Sequence, residues 1–209
     1  MKRGYFITLE GPDGAGKTTQ LERLAQKAAE MGIPVIQTRE PGGTPVGDAV
    51  REILLDPTYR EMVPLTEVFL YAAARAQLVH QMIEPALTGG KLVLCDRFID
   101  STLAYQAYGG QMDFDFVLQT NLRAIQGRLP DRTFVLDVAP EQGFARRNPE
   151  LADRVEQKAL SFHHDVRRGF LDIAKRYPKR VVIIDGTMSE DQVLAAIWSY
   201  AYPPLAALL

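Results

Sequence analysis

Gly11, Pro12, Asp13, Gly14, Ala15, Gly16, Lys17, Thr18 and Thr19 place a lysine and two hydroxyls directly behind three closely spaced glycines. From Gly11 to Thr18 the run follows the phosphate-binding spacing of glycine, four residues, glycine-lysine, then serine or threonine. Glycine permits backbone conformations and close approaches that a Cβ would block. The loop N–H groups and the N-terminus of the next helix can then converge on an anion. Lys17, expected to stand exposed at the loop, would reach the β- and γ-phosphates of ATP, and the Thr18 hydroxyl would ligate Mg²⁺.

A second constellation is Asp96-Arg97, at the end of the apolar run Leu92–Cys95. A carboxylate there can hold Mg²⁺ directly or through a water. A guanidinium recognises phosphate bidentately, so Arg97 beside that carboxylate suggests a second phosphate group, carried by a phosphorylated acceptor. Nucleophilic and zinc chemistry find no support. His80, His163 and His164 match no zinc spacing, and Cys95 lies in an apolar run as a small buried hydrophobe. Phosphoryl transfer needs positioning and charge neutralisation instead.

These residues need a scaffold, and the chain supplies one. Apolar, strand-like runs occur at Tyr5–Leu9, Val35–Gln37, Leu92–Cys95, Phe134–Leu136 and Val181–Ile184, with helical periodicity between them. That alternation predicts an α/β fold of three αβα layers around a parallel sheet of about five strands. Ligands of such sheets bind beyond the carboxyl ends of the strands. Glu10, the stretch Arg39 to Thr44, Asp96-Arg97, Asp137 and Asp185 are therefore expected at one edge. Gly32 and Pro34 should close the first helix, and Pro85 with Gly89-Gly90 the segment that begins near Thr66. Ser189 with Gln192 forms a capping box opening the last helix, which Pro203-Pro204 should stop.

Composition bounds the function. The 209 residues suit a single domain, 1–209. A net charge of −2 leaves no basic excess for nucleic acid or anionic lipid. One cysteine excludes an intramolecular disulfide framework. No apolar run approaches the length of a membrane span or a signal-peptide core. The chain reads as cytoplasmic.

The segments TLEGPDGAGKTTQ (Thr8–Gln20), TREPGGTP (Thr38–Pro45), YAAARAQL (Tyr71–Leu78), CDRFIDSTLAYQ (Cys95–Gln106), LDVAPEQGFAR (Leu136–Arg146) and DRVE (Asp153–Glu156) resemble the thymidylate kinases, in that family's order and with similar spacing. The resemblance implies a nucleoside-monophosphate kinase fold and transfer of the γ-phosphoryl of ATP to dTMP, with Mg²⁺. It also implies a homodimer. Arg97 resembles the arginine on the dTMP phosphate, and Arg75 the arginine that hydrogen-bonds thymine. Tyr71, one helical turn before Arg75, stands where the family stacks a phenylalanine on the base. Ser101 and Thr102 fall on the base-facing segment. Tyr105 resembles the tyrosine near the sugar's 2′ position, and Gln106 completes that run. Asp13 resembles the acidic residue near the acceptor's sugar and the metal. Arg39 and Glu40 face the phosphates, and the redirection needed after them predicts a cis bond between Glu40 and Pro41.

The phosphate loop lacks the arginine found in one branch of the family, so catalytic arginines must come from elsewhere. The stretch from about 140 to 153 reads as a short arginine-containing lid with Arg146, Arg147, Asn148 and Pro149. Arg146 aligns with the family, and either Arg147 or Arg154 would act as the second arginine. Two alternatives stand beside the thymidylate kinase reading. One is another nucleoside or nucleotide kinase of the same fold. The other is a phosphate-loop regulatory ATPase, which would need no acceptor clamp.

Overall fold

Runs that are apolar at successive positions can be satisfied only when both faces of a strand are covered, and a parallel sheet between two helical layers does this. The computed structural model describes residues 3–146 and 152–208. Its strands are β1 (Tyr5–Glu10), β2 (Val35–Arg39), β3 (Leu92–Asp96), β4 (Arg132–Asp137) and β5 (Val181–Asp185). They lie parallel in the order β2-β3-β1-β4-β5. The helices are α1 (Lys17–Glu30), α2 (Pro45–Leu55), α3 (Pro64–Leu78), α4 (Glu84–Thr88), α5 (Ile99–Thr102), α6 (Phe114–Ala124), α7 (Pro140–Ala145), α8 (Leu160–Arg176) and α9 (Glu190–Leu205).

Alternation along the strands divides the core. Phe6, Val93 and Val135 pack toward α3, α4, α5, α6 and α8. Ile7, Leu9, Leu94, Phe134 and Leu136 pack toward α1 and α9. The result is the expected three-layer αβα arrangement. Register places Asp96 opposite both Leu9 and Arg39. The ends of β1, β2 and β3 therefore lie abreast and present their polar residues together.

Two proline boundaries differ from expectation. Pro85 does not close the helical segment that begins at Pro64; Gly89, the C-cap of α4, and Gly90, at φ +75°, do so as expected. A widened π-helical turn, Val79–Ile83, follows α3, and the Glu84 N–H donates to the Val79 carbonyl. Pro85 then falls in the first turn of α4, where a proline's missing N–H costs least. Pro203 and Pro204 lie inside α9. Ile197, Ala201 and Leu205 carry its buried face past them at helical spacing. The capping box of Ser189 and Gln192 opens α9 as expected, and Gly32, at φ +81°, turns the chain after α1. No helix among the described residues is long and apolar enough to cross a membrane.

Candidate active site

β1 delivers the phosphate loop to the sheet edge, and α1 leaves it. Gly11 has φ +135°, and a Cβ there would overlap the Leu136 carbonyl oxygen. Gly16, in the left-handed region, caps α1. Lys17 is not exposed as expected: only 7% of it reaches solvent. The loop folds over its stem, and Nζ donates to the Gly11 and Pro12 carbonyls at 3.1 and 2.8 Å. Gly11 and Pro12 thus hold the lysine, whereas Asp13 to Thr19 line the adjoining cleft of about 1210 Å³. Burial, and next the Arg97 charge, bring Lys17 down to about 8, against the pull of Asp13, Asp96 and Glu10.

Asp96 ends β3 directly opposite α1, and the Thr18 hydroxyl donates to its Oδ2 at 2.6 Å. No group of three or more His, Cys, Asp or Glu among the described residues could hold a metal ion. One hydroxyl beside one carboxylate in a phosphate cleft nonetheless fits Mg²⁺, which takes few protein ligands and fills its shell with water and phosphate oxygens.

Arg97 follows in the left-handed region at φ +66°, a conformation that few non-glycine residues adopt. Its Nη1 donates to the Gly11 carbonyl and the Ser101 hydroxyl, both at 3.0 Å. Its Nη2 pairs with Asp13 and donates to the Tyr105 hydroxyl at 3.2 Å, and that hydroxyl donates to Asp13 at 2.6 Å. Glu10, fully buried, braces the turn by accepting from the Phe98 N–H at 2.7 Å and from the Ser101 hydroxyl. Burial, and then Asp100, raise the Glu10 carboxyl to about 8.

Arg97 lines both the large cleft and a second cavity of about 160 Å³. The small cavity brings together Asp13, Glu40, Tyr71, Arg75, Ser101, Thr102, Tyr105 and Gln106 from four separate stretches of chain. Tyr71, Arg75 and Thr102 thus line one cavity. The Glu40–Pro41 bond is cis. Arg39 lines only the large cleft.

Arg75, expected to hydrogen-bond thymine, is already engaged by protein groups. It is buried and paired with Glu40 through Nε, at 2.7 Å, and through Nη2. Nη2 also donates to the Thr102 hydroxyl at 3.0 Å, and Nη1 donates to Asn121. A guanidinium carries five N–H groups, so one on Nη1 is left for a ligand. Burial pushes the Tyr71 phenol well up, and Glu67 and Asp153 add to this.

Arg146, at the end of α7, lines the large cleft and reaches the Gly14 carbonyl at 3.4 Å and the Gly186 carbonyl at 3.3 Å. Arg147, Asn148 and Pro149 lie outside the described residues. Arg154 lines neither cavity and pairs with Glu67 at 2.6 Å. Asp137 pairs with Arg167, and Asp185 accepts from Thr187; neither joins the site.

Sequence reasoning missed Arg51, which lines both cavities, and Asp153, Val155 and Glu156 in the wall of the smaller one. It also missed Asn121 behind Arg75 and Gly143 against the phosphate loop. Asp153 and Glu156 fall within the DRVE segment already noted, which was a usable signal; Arg51 and Asn121 sit in ordinary helical patterns.

The family model described as thymidylate kinase matches residues 9–197. The thymidylate kinase of Pelotomaculum thermopropionicum is 49% identical over 209 residues, covering 99% of this chain and 97% of that protein. That of Deinococcus radiodurans is 48% identical, covering 95% and 97%. The crystal structure of thymidylate kinase from Ehrlichia chaffeensis superposes with a TM-score of 0.79 at 36% identity, covering 96% of this chain and 99% of that one.

Proposed function

The chain belongs to the thymidylate kinase family and phosphorylates dTMP with ATP, and from that premise we propose which residues do the work. An oxygen of the 5′-phosphate of dTMP attacks the γ-phosphorus of ATP in line as the bond from that phosphorus to the β–γ bridging oxygen breaks, giving dTDP and leaving ADP. Lys17 and the loop N–H groups of Asp13 to Thr19 hold the ATP phosphates. Thr18 and Asp96 would hold Mg²⁺, Asp96 through a water, and the ion would supply neutralising charge to the ATP phosphates. Arg97 holds the acceptor phosphate, and Asp13 fixes that arginine and Tyr105. Tyr71, Arg75, Ser101, Thr102 and Gln106 enclose the base and sugar, while Arg39 and Glu40 form the rim between the two substrates. Arg146 stabilises charge on the transferring group.

The observation that carries this reading is Arg97, a half-buried cation shared by the walls of a phosphate cleft and a small second cavity. A regulatory ATPase has no use for such a bridge. The test is a coupled ADP-release assay offering dTMP, dUMP, dCMP, AMP and thymidine in parallel. Release with dTMP far above the others is expected, and ADP release without any acceptor overturns the assignment.

The chain acts as one domain over 1–209, with an arginine-bearing lid at about 140–153, a reading supported by Arg146 standing over Gly14 and Gly186. It works in the cytoplasm as a homodimer. Support for the dimer comes from Val46 and Ile53 on α2, Leu65 and Phe69 on α3 and Phe116 on α6, all apolar and exposed. The Phe69 and Phe116 rings meet edge to face at 6.3 Å, joining α3 and α6 in one patch. Light scattering at micromolar protein should return twice the chain mass.

A further inference from the structure

Glu67 lies in the first turn of α3, is 2% exposed and lines neither cavity. A buried carboxylate is costly unless it is paired and hydrogen-bonded. Here three donors meet it from distant parts of the chain. Gln106 Nε2 donates to Oε2 at 3.0 Å. Arg154 Nη1 and Lys158 Nζ donate to Oε1 at 2.6 and 3.3 Å. Burial alone would raise the Glu67 carboxyl, but Lys158, Arg154 and Gln106 outweigh it and hold the group below its ordinary value, so it stays ionised.

Two of these contacts, those of Gln106 and Arg154, lead to walls of the small cavity. Gln106 lines it directly, and Tyr105 beside it does too. Arg154 is flanked by Asp153 and Val155, which both line it. The backbone N–H of Arg154 donates to the Leu55 carbonyl at 3.1 Å, and its Nε to the Leu54 carbonyl at 2.9 Å, so it also ties in the end of α2. Glu67 itself shares a face of α3 with Tyr71 and Arg75, at successive spacings of four. None of Gln106, Arg154 and Lys158 lines the ATP cleft.

We propose that Glu67 is a positioning residue for the acceptor: its single carboxylate locks α3, the turn carrying Tyr105 and Gln106, and the segment around Asp153 into one rigid dTMP cavity. Apolar packing could hold these elements together as stably as an ion pair does. What the charge adds is a fixed relative setting of three walls, because each donor must keep its own distance and direction. This inference rests on the reading of the small cavity as the acceptor site.

The test is Glu67→Gln, which keeps the shape and removes the charge, assayed with each substrate varied at saturating levels of the other. KM for dTMP should rise about tenfold, with KM for ATP within about twofold and kcat within about threefold of wild type, the pattern of uniform binding lost for one substrate. If Glu67→Gln does not fold, as judged by its melting curve, the double variant Glu67→Gln/Arg154→Met leaves Arg154 no unpaired charge and carries the same expectation. A folded variant with unchanged KM for dTMP overturns the proposal, as does an equal rise in both KM values. Failure of wild-type enzyme to use dTMP would instead overturn the assignment of the cavity.

Discussion

Replacing Arg75 with Met removes a cation whose partners are all buried. Glu40 Oε2 loses two donors, and Asn121 Oδ1 and Thr102 Oγ1 lose one each. Glu40 Oε1 has no partner even in the intact protein, so nothing nearby compensates. Removing one member of a buried ion pair costs about 3–5 kcal/mol, mostly because a charge is left stranded. For a chain of this size about 2–4 °C accompanies each kcal/mol, so Arg75→Met should melt roughly 6–20 °C below wild type. Burial already raises the Glu40 carboxyl, and Arg75 is what opposes that. Without Arg75 the carboxyl rises further. A carboxyl whose folded value lies above its unfolded value stabilises at low pH, and that stability is lost as pH rises. The deficit of Arg75→Met should therefore widen from acid to alkaline pH. The double variant Glu40→Met/Arg75→Met strands no charge and should recover most of the melting temperature. Neither variant should recover acceptor choice. The remaining Arg75 N–H suits the thymine O4 acceptor and not the cytosine amino group, a mismatch of about 1–3 kcal/mol. Both variants should lose preference for dTMP over dCMP in the coupled assay. A single variant melting within about 2 °C of wild type, or a double variant no more stable than the single, would refute the stranded-charge argument.

Three further outcomes follow from the same geometry. Lys17 is held near 8 by burial and Arg97, so in the free enzyme it loses its proton above that pH; KM for ATP should climb through this range, and ATP binding at about pH 8.5 should take up protons in calorimetry across buffers of different ionisation heat. Binding with no proton uptake would contradict it. Glu10 is raised to about 8, so its contribution is full below its unfolded value and fades as pH rises through about 8; Glu10→Gln should flatten the loss of stability between about pH 5 and 9, and parallel pH profiles for variant and wild type would sink this. Gly143 on α7 faces the loop backbone, and a Cβ there would overlap the Asp13 carbonyl oxygen. Gly143→Ala should lower kcat about 10²-fold by displacing the loop and Arg146; an undiminished kcat would show that α7 yields freely.

What could be read from the sequence depended on the range of the interaction. The phosphate loop, the strands and the Ser189 capping box are each specified within a few neighbouring residues, and the structure matches them. Tyr71 and Arg75 on one face of α3 required only a helix of regular pitch. The pairings that decide side-chain roles are of another kind. Arg75 meets Glu40 and Asn121 across separations of 35 and 46 residues, and Arg154 meets Glu67 across 87. No local pattern distinguishes a guanidinium bound for a buried carboxylate from one bound for a substrate, because both occupy a polar position on an amphipathic segment. Arg154 was open to reading as a catalytic arginine for that reason, and Lys17 as an exposed one. The proline boundaries went astray through a related cause. Local rules weigh the lost N–H of Pro203 or Pro204 but not the buried face of α9 that carries them, whose packing outweighs one backbone hydrogen bond, and they do not foresee the π turn that returns Pro85 to a first-turn position. In this fold the chemistry-bearing residue types are declared locally, and their division between substrate and scaffold is settled only where distant segments meet around the small cavity.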